Sequence, residues 1–158
     1  MTPEFDTYAW QQLRNKKLME WIGDPNAVEF IIQFASVCEV WDDLIDKDKN
    51  VPDHAINGAF WKLLLEVPLN PFFDKYKQNL IPILVTGVNA WIDSTIMEKS
   101  HDKNDKVFAY VLRDWYMEFV SFIIYLCRGR EYLREVSMDV RMFFTHHETL
   151  DQYLEKLS

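Results

Sequence analysis

Apolar side chains recur along this chain at three- and four-residue intervals, and no run alternates at period two for long. That periodicity predicts helices and no sheet. The punctuation agrees. Thr2-Pro3, Asp24-Pro25 and Asn70-Pro71 each set a capping residue before a proline, the favoured N-cap and N1 pairing. Gly23 follows Trp21-Ile22 and is placed to close a first helix. The pattern predicts helices at 3–22, 25–47, 53–67, 71–99, 105–128, 130–144 and 148–157, with a kink or split at Pro82. Helix 25–47 is apolar over most of its surface in its first half, through Val28, Phe30, Ile31, Ile32, Phe34 and Val37. Helix 105–128 has the same character, with Phe108, Val111, Leu112, Trp115, Phe119, Val120, Ile123 and Ile124. A helix that is hydrophobic all round belongs in a core. The expected fold is therefore all-α: one domain over 1–158, a compact bundle of about six to seven helices around these two.

Composition narrows the picture. The 158 residues are 49% hydrophobic and 15% aromatic, with four glycines. Such a chain has material for a core, which excludes disorder. A net charge of −8 excludes a nucleic-acid backbone and an anionic bilayer as main partners, since both need clustered Lys and Arg. The longest apolar run, 119–127, is too short to span a bilayer. The start, Met1-Thr2-Pro3-Glu4, is polar and acidic, unlike a signal peptide. A soluble cytoplasmic protein is expected. Cys38 and Cys127 both lie in apolar stretches and read as small core residues with reduced thiols. The six tryptophans are expected mostly in the core, and any left exposed would mark a partner surface.

One segment has no packing rationale. Asp42, Asp43, Asp46 and Asp48 fall within seven residues at the end of an apolar helix. The macrodipole disfavours anions there by about 0.3–1 kcal/mol each. Glu39, Asp42, Asp43 and Asp46 share one side of the helix at about 100° per residue. Asp42 and Asp46 are i and i+4, with Cβ atoms roughly 5–6 Å apart. Two carboxylates so placed can share Mg²⁺, which takes oxygen ligands and keeps water or substrate phosphate on its other positions. The metal candidates are accordingly Asp42, Asp46, Asp43 and Glu39. The alternative is a solvated helix end whose charge is offset by Lys47, Lys49 or an arginine.

Asp42-Asp43-Leu44-Ile45-Asp46 resembles the DDxxD motif of the isoprenoid synthases, all-α enzymes that bind Mg²⁺ and a substrate diphosphate. That resemblance implies metal-holding roles for Asp42 and Asp46. No second DDxxD is present; Asn89 and Asp93 stand nearest to one, without the Ser and Glu in register. Asp46-Lys47-Asp48-Lys49-Asn50 is similar to the opening of an EF-hand loop, though Val51 and Asn57 replace its Gly and Glu. Glu39-x-x-Asp42 with Asp102-x-x-Asp105 is similar to the MazG-type nucleotide pyrophosphohydrolases. The chain as a whole resembles small helical proteins of tailed phages and prophages, through residues 41–49, Ala55-Ile56-Asn57, Ala59-Phe60-Trp61 and Asn70-Pro71-Phe72-Phe73; it would then be cytoplasmic in the host cell.

Polar stripes complete the set. Arg113, Asp114, Glu118, Ser121 and Arg128 share a stripe on helix 105–128, as Thr86, Asn89 and Asp93 do on helix 71–99. Facing the aspartates, they would enclose a polar chamber, with Asn89, Asp93, Arg113 and Arg128 behind the metal or holding an anion. The plainer expectation is that Arg113 neutralises Asp114, Glu118 or the aspartates. Arg128, Arg130, Arg134 and Arg141 could grip a phosphate or decorate a solvated face. His146-His147 are adjacent and so diverge on a helix. Two readings of function stand: a non-enzymatic interaction or structural protein, self-associating or bound to another protein, or a Mg²⁺-dependent enzyme acting on a phosphate or diphosphate ester.

Overall fold

The capping residues place the helices. In this computed structural model, which describes residues 7–47, 49–144 and 148–157, α1 spans Thr7–Ile22 and ends at Gly23, whose φ of 74° lets its N–H reach the Met19 carbonyl at 3.0 Å. The Asp24 carboxylate accepts from the Asn26 and Ala27 N–H groups at 2.9 and 3.2 Å and starts α2, Pro25–Asp46. Lys47, at φ 56°, ends it in the left-handed region. The helix α3, Asp53–Trp61, runs into a π-helical stretch, Lys62–Glu66, and then α4, Val67–Leu69. Pro68 would set its ring against the Leu64 carbonyl four residues back, and the widened turn lies where that clash would fall. The Asn70 side chain accepts from the Phe72 and Phe73 N–H groups at 2.9 and 3.1 Å and donates to the Asn26 carbonyl at 3.0 Å, so one residue starts α5 and ties it to α2.

Downstream, α5 spans Pro71–Met97. Asp102 caps α6, Lys103–Leu112, which passes through a 3₁₀ turn at Arg113–Trp115 into α7, Tyr116–Phe144. Thr149 and Gln152 form a capping box for α8, Leu150–Lys156. No strand occurs among the described residues, and the fold is all-α. The expected Thr2-Pro3 cap, Asp48 and His146-His147 lie outside the described residues.

Two differences from the sequence pattern have local causes. Pro82 does not split α5. Pro82 and Gln78 are both exposed, so the carbonyl that the missing N–H leaves behind faces water. The predicted helix 105–128 is broken at 113–115, and its first part exposes Phe108 and Val111 instead of burying them. The predicted break before residue 130 is present, as a non-helical Gly129 (φ 80°, ψ 177°) inside α7.

The chain divides into two compact units, Met1–Lys77 and Gln78–Ser158. In the first, α2 is central and packs against α1, α3, the π-helix and α4. Phe30 is fully buried, with the rings of Phe34, Phe72 and Phe73 centred 5.3–6.3 Å away. In the second, Leu80, Phe119, Val120, Ile123, Ile124 and Val140 are fully buried. Gly87 lies so close to the Trp115 indole that a Cβ there would sit 2.1 Å from the ring.

Candidate functional site

The acidic segment is built by the end of α2. Asp43 pairs with Lys49 across the helix end at 2.6 Å. Glu39 faces Arg14 of α1 at 3.9 Å. Asp42 is half-buried and Asp46 exposed. Among the described residues, no group of three or more His, Cys, Asp or Glu side chains is gathered as a metal would require. Beside the cluster, burial and then the carboxylates of Glu39 and Asp42 push the Cys38 thiol up to about 12. Neither Cys38 nor Cys127 is in a disulfide, and both are half-buried.

The polar stripes resolve into separate local contacts. Asn89 donates to Asp93 at 2.9 Å on the exposed side of α5. The Arg128 guanidinium stacks over the Tyr132 ring, 4.1 Å from its centre. Arg113 does find a carboxylate, but it is Glu98, at 2.5 Å, a residue the stripe pattern did not single out. The same Glu98 oxygen accepts from the Tyr153 hydroxyl at 2.5 Å, so the pair also fastens α8. Burial, then the Glu98 carboxylate, holds the Tyr153 hydroxyl well above the usual phenol range. Glu118 pairs with Arg141 at 2.6 Å, Arg130 approaches Glu131 at 3.7 Å and Arg134 reaches Ser137 at 3.4 Å. Each of these arginines has a neighbour of its own along α7.

What the polar pattern did not point to is an apolar surface on the first unit. Val37, Val40, Trp41 and Leu44 of α2 face Ile56, Ala59 and Phe60 of α3 and Leu63 of the π-helix across a cleft of about 300 Å³. The segment α3 to α4 flanks it with Phe60 59%, Trp61 61%, Leu64 65% and Leu69 79% exposed. Neither α3 nor the π-helix buries any residue fully. The tryptophans are correspondingly less buried than expected: Trp21 is buried, Trp61 exposed and the other four half-buried. A signal was present in the sequence, in Ala59-Phe60-Trp61 followed by Leu63-Leu64-Leu65, an apolar run with no polar face to give to water.

A second apolar stripe lies on α5, where Ile81, Val85, Ile92 and Ile96 are exposed on one face. By length and composition this helix is apolar enough to cross a bilayer. Isolated polar residues interrupt it, so a search for an unbroken run passes over it. Comparison with protein-family models, curated proteins and solved structures finds no match for this chain.

Proposed function

We propose that this chain works by contact and not by catalysis: a non-enzymatic interaction or structural protein that buries its α3–α4 surface against another protein, in the first instance a second copy of itself. The observation that carries this reading is the exposure of Phe60, Trp61, Leu64 and Leu69 on a segment with no fully buried residue before Val67. Isolated exposed apolar side chains need no explanation, but a run of them within one ten-residue segment is the mark of a contact surface. The catalytic alternative, a Mg²⁺-dependent enzyme acting on a phosphate or diphosphate ester, needs carboxylates converging on one cation. Here Asp43 and Glu39 are drawn to Lys49 and Arg14.

Sedimentation equilibrium tests the reading. The wild-type chain is expected as a dimer or higher state at micromolar concentration. Leu64→Lys and Trp61→Glu change side chains already more than half exposed, so both variants should keep their helical circular dichroism and shift towards monomer. A wild-type chain that stays monomeric across the concentration range overturns the proposal.

A further inference from the structure

Three elements of the first unit line an open concavity of about 490 Å³: Met19 comes from α1, Val28, Glu29, Ile32 and Gln33 from α2, and Glu66 from the end of the π-helix. Its polar groups are acceptors short of donors. Gln33 is only 9% exposed. Its Nε2 donates to Glu29 at 3.3 Å, but its Oε1 is buried with no hydrogen-bond partner. Buried oxygens are seldom left so, because they have given up water for nothing. Glu66 is half-buried, and among the described residues neither it nor Glu29 makes an ion pair. Arg14, next to the lining residue Asn15, is turned to the Asn15 Oδ1 at 3.2 Å and towards Glu39. The rest of the wall, Met19, Val28 and Ile32, is apolar.

We propose that this concavity binds a primary alkylammonium, its charged head held by Glu29, Glu66 and the Gln33 oxygen and its aliphatic stem laid along Met19, Val28 and Ile32. The count of donors fits. An ammonium has three N–H donors and no acceptor, and three acceptors meet it. A half-turn of the Gln33 amide about its last bond exchanges Oε1 with the Nε2 now on Glu29, and the cation takes over as the partner of that carboxylate. A guanidinium, with five donors in a plane, would leave some unmet. A hydrated Mg²⁺ keeps its waters and gains nothing from an apolar wall, whereas an alkyl stem buries itself on one. The chemistry has two sources, a free amine or a lysine side chain of another protein, and the test separates them.

Isothermal titration calorimetry on the full chain at neutral pH, where alkylamines are protonated, tests this with pentylamine. Two controls divide its parts: 1-pentanol has the stem without the charge, and methylamine the charge without the stem. Pentylamine should bind at least about 10-fold more tightly than either. Glu66→Gln and Gln33→Leu should each weaken it by about 10-fold or more. Glu131→Gln removes the same charge at an exposed position of the second unit and should leave binding unchanged. Gln33 is buried, so Glu66→Gln, at a half-buried position, carries the test should Gln33→Leu not fold. Equal binding of 1-pentanol or methylamine overturns the proposal, as does undiminished binding to Glu66→Gln or to folded Gln33→Leu. Equal weakening by Glu131→Gln also overturns it, since the amine would then be drawn by the acidic surface at large. 1,5-Diaminopentane and Nα-acetyl-lysine N-methylamide distinguish the sources: the first binding more tightly supports a free amine, the second a lysine side chain. Absence of saturable binding by both overturns the proposal.

Discussion

Glu98 shows how much one residue can be asked to hold. Its Oε1 accepts from both Arg113 and Tyr153, and its side chain is 11% exposed against 24% for Arg113. Removing the guanidinium leaves a nearly enclosed carboxylate with the phenol alone. Arg113→Ala should therefore cost about 1.5–3 kcal/mol by urea denaturation, the range for hydrogen bonds to charged groups. That is less than for a fully buried pair, because water reaches part of Arg113 and takes up some of the loss. Tyr153→Phe should cost less again, about 1 kcal/mol. The phenol also sets a pH dependence. Its proton is held more firmly in the fold than in the unfolded chain, where it leaves near pH 10. As pH rises, the unfolded state sheds the proton first and gains from doing so. The contribution is intact below pH 10 and is lost above it. Stability should fall above pH 10 more steeply in the wild type than in Tyr153→Phe. At Cys38, a thiol pushed up to about 12 carries almost no thiolate at neutral pH. In a Cys127→Ser background, Ellman's reagent should modify folded Cys38 more than about 100-fold more slowly than the unfolded chain.

At the scale of the helices, two glycines in helical segments predict opposite outcomes for one substitution. Gly87 of α5 abuts the Trp115 indole, and the added methyl of Gly87→Ala would fall inside it. A rigid ring cannot fold away as the tip of a long chain does, so α5 must move. The expected loss is about 1–3 kcal/mol. Gly58 of α3 has no atom within 4 Å of where its Cβ would lie. Gly58→Ala should stabilise the protein by about 0.5–1 kcal/mol, through helix propensity alone. Thermal melts of the two variants check both signs. The boundaries of most elements were legible because caps are local: Gly23, Asp24 and Asn70 act within three or four residues of themselves. The π-helix at 62–66 and the 3₁₀ turn at 113–115 were not legible. Pro68 marks the first as a place where the α pattern is disturbed, but not whether the turn widens, kinks or ends, and no residue type at 113–115 announces the second.

For the whole molecule, charge and apolar surface pull on association in opposite directions. Each copy carries a net charge of −8, so self-association through Phe60, Trp61 and Leu64 must overcome mutual repulsion. Screening that repulsion should strengthen it: raising salt from about 50 to 300 mM shortens the Debye length from roughly 14 to 6 Å, and sedimentation should show a lower dissociation constant. A dissociation constant that rises with salt would instead show an interface held by charge.

Period and caps needed no tertiary structure, because helical hydrogen bonds, proline geometry and left-handed glycine are settled within a few residues; the all-α class, the start of α2 at Pro25, the Gly23 stop and the break before residue 130 follow from them. Partners were another matter. Nothing in the spacing of Arg113 distinguishes Glu98 from Asp114 or Glu118, since ion pairs form between residues that the packing of helices brings together. The aspartate cluster was conspicuous in the sequence, yet only the folded chain puts Lys49 on Asp43 and Arg14 near Glu39. Exposure was the least legible quantity of all. An apolar run such as Phe60 to Leu65 reads as core in one dimension. Whether it is covered depends on whether another element reaches it, and that is decided by the arrangement of the whole first unit.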